Sequence, residues 1–266
     1  MGGEGPTLTV SKAKAAAGKA IQLDDTLAEA HNSLGLVLAY YEFDFVQSKK
    51  EFERAIELNP NYADAHHQFG NVNLIKVGEF DRAIAEGTRA LELDPLSLII
   101  NADLGQNYLM ARRYEEAIEQ SRNTIALDPR FYCAHWNLGQ ALQMKGQLHE
   151  AIAEYEKIVE LTDDPTALAM LAQGYAKIGQ TDKARNLLYE LQQMSADRYV
   201  GAVSFAFVHL ALGEHEKALE EIERACREPV DPDVINLNIE PLLDPLRGDP
   251  RFERLVAKVL GVADNK

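Results

Sequence analysis

Little in this sequence points to covalent or catalytic machinery, and each shortage excludes something. Two cysteines, Cys133 and Cys226, stand in 266 residues. They cannot build a disulfide framework, so a reducing compartment, the cytoplasm, is the expected location. Only ten prolines interrupt the chain, strand signals are weak throughout, and Ala, Leu, Glu and Lys are frequent, which favours helices. Positive charge is scarce: 27 Lys and Arg against 42 Asp and Glu leave a formal net charge of -15. With no basic cluster to displace counterions, nucleic acid is excluded as a partner, and anionic membranes are disfavoured for the same reason. A basic or mixed-charge partner is the milder expectation, because overall charge steers encounter. The longest apolar run, residues 202–212, falls short of the ~20 needed to span a bilayer and contains His209. The opening Met-Gly-Gly-Glu-Gly-Pro lacks the apolar core of a signal peptide, and Pro6 stands where a myristoylation signal wants Ser or Thr.

What the chain has in abundance is self-similarity. Glu57-Leu58-Asn59-Pro60, Glu92-Leu93-Asp94-Pro95 and Ala126-Leu127-Asp128-Pro129 recur at intervals of 35 and 34. Leu34-Gly35, Phe69-Gly70, Leu104-Gly105 and Leu138-Gly139 form a second ladder, and Ala83, Ala117, Ala151, Ala184 and Ala218 a third. Three ladders in constant phase define a repeat of about 34 residues. In residues 98–129 the pattern reads Leu104, Gly105, Tyr108, Tyr114, Ala117, Pro129; the next repeats carry Leu138, Gly139, Gly146, Ala151, Tyr155, then Leu171, Ala172, Tyr175, Gly179, Ala184, then Phe205, Ala206, Gly213, Ala218. This resembles the tetratricopeptide repeat family over roughly residues 9–227. The resemblance implies an all-α fold, a right-handed superhelical solenoid of antiparallel helix hairpins. About six repeats are expected, preceded by an N-terminal half-repeat and closed by a C-terminal capping helix.

Each element of the pattern has a physical reason. A small residue midway along the first helix, and an Ala early in the second, let the two helices approach closely. Gly78, Gly146, Gly179 and Gly213 end first helices where a left-handed residue is cheap. Asn-Pro or Asp-Pro stops the second helix. No hairpin buries its own apolar face, so stacked neighbours supply the core. The expected boundaries are a flexible tail at 1–8, a lone second-type helix at 9–26, the solenoid at 27–228, and a capping segment at 229–266. Two repeats depart from the pattern. The one at 27–60 has an extra residue and an aromatic turn, Tyr40-Tyr41-Glu42-Phe43-Asp44-Phe45; the one at 61–95 also runs long and has Gly87 where an aromatic is usual. A kink or looser contact is expected there. The aromatic turn and the Pro-Leu-Leu-Asp-Pro-Leu ending are similar to C-terminal repeat regions of multi-domain bacterial signalling proteins, which implies a bacterial regulatory or scaffolding context.

A search for chemistry finds fragments only. His149-Glu150-Ala151-Ile152-Ala153 starts like a zinc-protease helix but has Ala153 in place of the second His, and His215-Glu216 fails likewise at Leu219. There is no phosphate loop and no nucleophile elbow. His66 and His67 are adjacent and point about 100° apart on a helix, which suits no shared metal. The glutamates of the second helices are expected to be a solvated outer face. The expectation is therefore a binding protein without cofactor or metal, not an enzyme.

In the fold implied by the resemblance, the first helices line a concave groove. The expected partner-binding residues are Asn32, Leu36, His67, Asn71, Leu74, Gln106, Leu109, Trp136, Gln140, Gln143, Gln173, Lys177 and Phe207. Asn71, Gln106, Gln140 and Gln173 form a row of amides at one equivalent position, suited to the backbone of a bound peptide. Trp136 faces the groove in this register, where an aromatic anchor would be a hot spot; the alternative is that Trp136 and His135 exchange roles. The carboxylate clamp of chaperone adaptors is disfavoured, since Asn137 and Lys177 match single positions and the other cations are missing. The partner is expected to be a protein or peptide. A homodimer through the unpaired N-terminal helix is the second reading.

Overall fold

The computed structural model describes residues 6–227 and 231–260, which leaves residues 1–5 of the expected tail, residue 228 of the expected solenoid, and both 229–230 and 261–266 of the expected capping segment, outside the described residues. Among the described residues every regular element is helical. The order is α1 (Pro6–Leu23), α2 (Ala28–Glu42), α3 (Phe45–Leu58), α4 (Ala63–Gln68) with a π-helical continuation over Phe69–Leu74, α5 (Phe80–Leu93), α6 (Leu98–Met110), α7 (Tyr114–Leu127), α8 (Tyr132–Met144), α9 (Leu148–Leu161), α10 (Pro165–Lys177), α11 (Thr181–Met194), α12 (Ala202–Ala211) and α13 (His215–Ala225). Two 3-10 turns, Pro232–Asn236 and Pro241–Leu246, precede α14 (Pro250–Val259). No described helix is long and apolar enough to cross a membrane. The chain forms two compact units, Met1–Asn107 and Tyr108–Lys266.

Within each unit the hairpins close where a side chain is small. A Cβ added to Gly139 in α8 would stand 2.5 Å from the ring of Tyr155 in α9, and one on Gly35 would stand 3.1 Å from the Phe52 ring. Each large ring thus occupies the space that the facing glycine leaves. Gly87 is the reverse case: it admits Leu104, whose methyl carbon would lie 3.1 Å from an added Cβ. First helices end on a left-handed residue, with φ of 77° at Gly146 and Gly179, and the following amide reaches back to the helix, as Gln147 does to the Leu142 carbonyl. At the same turn position two hairpins carry Phe43 (φ 53°) and Arg112 (φ 61°) instead of glycine.

The expected kink in the second repeat is a π-helical turn. The Ile75 amide donates to the Gly70 carbonyl, five residues back, so the extra residue of this repeat is absorbed inside the first helix. The first repeat accommodates its extra residue in the turn, where the Asp44 amide reaches six residues back to Leu38.

A polar latch recurs beside the small-residue contacts. His135 Nδ1 lies 2.5 Å from Glu154 on α9, while its Nε2 lies 3.0 Å from the Pro129 carbonyl. His66 repeats this with Glu86 and Pro60, and His31 with Glu51 and the Asp25 carbonyl. Both ring nitrogens face acceptors, and in His66 and His135 the imidazolium is the form that donates to both. Each His ties the first helix at once to its own second helix and to the end of the preceding one. Asn101 occupies the equivalent place and donates to the Pro95 and Ser97 carbonyls. Glu51, Glu86 and Glu154 are therefore not merely a solvated outer face, because a buried imidazole needs a charged partner.

The hydrogen bond to Glu154 is the main cause raising the His135 pKa above its ordinary 6.5, and Glu86 does the same for His66. The folded state holds these protons more tightly than the unfolded chain, so the latch contributes fully below about pH 6.5 and is lost as pH rises through the raised value. His135→Asn, which keeps a carbonyl contact of the Asn101 kind, should lose more stability at pH 6 than at pH 9, read from urea midpoints by circular dichroism. An equal loss at both pH values contradicts the imidazolium latch. Gly139→Ala should cost about 2–3 kcal/mol through overpacking against Tyr155. Gly146→Ala, with open space around it, should cost only the ~1 kcal/mol of a left-handed alanine.

Candidate functional site

In the first unit, the face that α2, α4 and α6 turn away from their second helices is polar and partly open. Asn32 donates through Nδ2 to Gln68 Oε1 at 2.8 Å. One carboxylate oxygen of Asp103, on α6, receives the His67 Nε2 at 2.7 Å and the Asn71 Nδ2 at 2.9 Å. Asn71 sits in the π-helical turn; its Oδ1 is buried and has no hydrogen-bond partner among the described residues. Tyr40 is 45% exposed, and its phenol pKa is raised by desolvation first and by the negative charge of Asp103 second. Leu36, His67 and Gln106 are half-buried. Leu74 was expected on this face and is instead wholly buried in the core. The π-turn explains the change, since one inserted residue advances everything after it by about 100° around the helix.

In the second unit the corresponding face is covered by the chain itself. After α13 the segment 231–247 runs across α8, α10 and α12. Asp231 caps α12, accepting from the Ala202 and Val203 amides at 2.9 and 3.4 Å. Val234, Leu237, Leu242, Leu243 and Leu246 then join one apolar cluster with Leu138, Leu142, Phe207 and Leu210. Gln140 Nε2 reaches Glu240 Oε1 at 3.5 Å, and Arg112, projecting from its left-handed turn, donates to Asp244 at 2.7 Å. Between the segment and the helices remains a hollow of about 270 Å³, bordered by Gln143, Gln173, Lys177, Leu210, Leu242 and Asp244.

This placement alters the expected groove. Gln140, Gln143, Gln173 and Phe207 are buried, and Leu109 has no exposure and belongs to the apolar cluster. The Tyr155 hydroxyl donates to Gln143 Oε1, and Gln173 Oε1 has no partner among the described residues. Lys177 is exposed at the rim of the hollow. Trp136 is half-buried and packs against the cluster, whereas His135 takes the latch position. The expected capping helix exists as α14, which packs on α13 with Phe252 buried and Arg251 paired to Glu223 and Glu216. What the sequence reasoning missed is that 231–247 lies over first helices, not over an end. The sign was present: its leucines and isoleucines follow no helical period, so they need a cover from elsewhere. The latch too was legible, as His31, His66, Asn101 and His135 recur at 35, 35 and 34.

Glu240 is buried, its carboxyl accepting from the Leu242 amide at 2.9 Å. Burial, reinforced by Asp233 and Asp244, pushes its carboxyl up to about 7 against the help of the Leu242 amide. Cys226 is likewise pushed up by burial, to about 11, and is an unreactive thiol. For Glu240 the folded state is the one that keeps the proton. Its contribution is therefore complete below about pH 4.5 and declines as pH rises towards 7. Glu240→Gln removes the titration, so the stability of the wild type relative to this variant should fall between pH 4.5 and 8, by up to about 3 kcal/mol. A constant difference in urea midpoints over that range would show that Glu240 stays ionised where it lies.

Comparison with known proteins agrees with this architecture. One tetratricopeptide repeat model matches residues 72–121 and 102–167, and a second matches residues 51–85. No curated protein matches the chain. Among solved structures, the Cut9–Hcn1 hetero-tetramer of the APC/C is similar over 94% of this chain and 46% of that one, with 17% identity and a TM-score of 0.65. PilF of Pseudomonas aeruginosa is similar over 74% of this chain and 87% of its own, with 18% identity and a TM-score of 0.59. YrrB, a TPR protein with an unusual peptide-binding site, is similar over 78% of this chain and 98% of its own, with 19% identity and a TM-score of 0.50. Residues 51–167 thus match tetratricopeptide repeat models, and the chain shares the helical-hairpin fold of these structures.

Proposed function

We propose that this chain of tetratricopeptide-type hairpins is a protein-interaction module, and that the face of α2, α4 and α6 holds a partner peptide through a basic side chain. The observation that carries this is the arrangement around Asp103. One of its oxygens is engaged by His67 and Asn71, and Asn71 presents a buried carbonyl oxygen that lacks a donor. A peptide amide satisfies that oxygen, and a Lys or Arg of the same peptide completes the carboxylate, with the Tyr40 ring beside it. The net charge of -15 draws such a partner in. The groove residues that serve this site are Asn32, Leu36, His67, Asn71 and Gln106. YrrB supports the reading in general terms, being a repeat protein of similar fold with a peptide-binding site. Neither Cys133 nor Cys226 is in a disulfide, which suits a reducing cytoplasm. The bacterial regulatory context rests on the sequence resemblance alone.

A second reading, self-association, is favoured by a hollow of about 470 Å³ beside α1, walled by Ala13, Ala16, Ala17 and Ala20 and by Leu27 and Ala30 near α2. A mass that doubles with concentration in light scattering, and reverts with Ala17→Glu, would establish it.

An array of random peptides probed with the full chain should retain sequences rich in Lys and Arg. Asp103→Asn should weaken the best of them at least ~10-fold, equivalent to 1.4 kcal/mol, with unchanged circular dichroism and a smaller salt dependence. Retention of acidic or uncharged sequences, indifferent to Asp103, would overturn the assignment.

A further inference from the structure

We infer that the segment 231–247 is a displaceable occupant, and that the face of α8, α10 and α12 beneath it takes in trans a peptide of the segment's own chemistry: an acid followed by proline and paired leucines, as in Glu240-Pro241-Leu242-Leu243. This goes beyond the basic-peptide site of the first unit and does not depend on it.

The face is shown by its occupant to accept irregular polypeptide. The segment's backbone hydrogen bonds are local, as from Leu237 to Val234, Ile239 to Asn236 and Leu243 to Glu240. Hold on the helices comes from apolar side chains and a few polar anchors: Asp231 on α12, Asp244 on Arg112, and Glu240 on Gln140. The fit is incomplete in three places. The Gln140–Glu240 contact is long, at 3.5 Å. Gln173 Oε1 is buried with no donor, and a hollow of about 270 Å³ stays open beside it with Lys177 at the rim. An acidic side chain held in a buried site and a buried amide oxygen without a donor among the described residues both weaken docking. A ligand that keeps the leucines, brings a donor to Gln173 and sets an acid against Lys177 binds the same face better. It must still compete with a tethered segment at an effective concentration in the millimolar range. Free and occupied states therefore exclude each other, and the resting face is shielded from indiscriminate apolar contacts.

The probe is a fluorescein-labelled synthetic peptide copying residues 231–247, titrated by anisotropy into the full chain. Leu243→Asp weakens the tethered copy while leaving the helical faces intact. The peptide should bind this variant at least ten-fold more tightly than wild type, and Leu243→Asp combined with Phe207→Ala should lose that gain. Asp103→Asn should leave it unchanged, which separates this site from the first unit's. Binding no tighter to the variant than to wild type overturns the proposal. A mass that doubles in wild type by exchange of segments, without binding of free peptide, also overturns it and makes a second copy the occupant. Should Leu243→Asp lose helical signal, hydrogen exchange on the unaltered chain decides: amides of 237–246 must exchange ahead of those in α8 and α10, and exchange only with global unfolding refutes displacement.

Discussion

A first helix can rest on its second helix only where a side chain gives way. At Gly139 the Tyr155 ring lies so close that a single added carbon would overlap it, and at Gly35 the same carbon would press on the Phe52 ring. Spacing between the two helices follows from that absence, and the stack follows from the spacing. Neighbouring hairpins can then share one apolar layer, since a lone hairpin leaves half of its surface without cover. The histidine latch belongs to the same geometry. It spans three consecutive helices, and it can do so only because the rings of His31, His66 and His135 reach both a glutamate and a turn carbonyl.

The parts of this arrangement that recur every 34 or 35 residues were readable from sequence, because a repeat states each local rule several times. Leu-Gly in the first helices, Ala in the second, glycine at the turn and Asp-Pro at the stop all occupy the places their physics demands. The single occurrences were not readable. An extra residue in the second repeat gives no sign whether a turn or a helix will absorb it, yet that choice sends Leu74 into the core and sets Asn71 against Asp103. Asp103 was invisible for a related reason: its meaning comes from His67 and Asn71 on a neighbouring helix, 36 and 32 residues away.

The C-terminal segment shows how topology can change what a surface is for. Gln140, Gln173 and Phe207 recur in sequence at the positions that in the first unit belong to Asn71 and Leu36. Their exposure depended on a stretch outside the repeat, which obeys no period and so carries no register of its own. The two units use carboxylates in opposite ways. Asp103 is held by the donors His67 and Asn71 at a partly open face. Glu240 is sealed among leucines, where its charge is suppressed.

Arg112 adds a dimension of time. Its bond to Asp244 joins residues 132 apart, whereas the latches join residues about 20 apart. Closing so long a loop costs more chain entropy than closing a hairpin, and contacts of that kind form after local ones. As the chain leaves the ribosome, α8, α10 and α12 emerge before residues 231–247 do. For that interval the apolar face of the second unit is bare. Whatever meets it then does not have to compete with the segment that later closes over it.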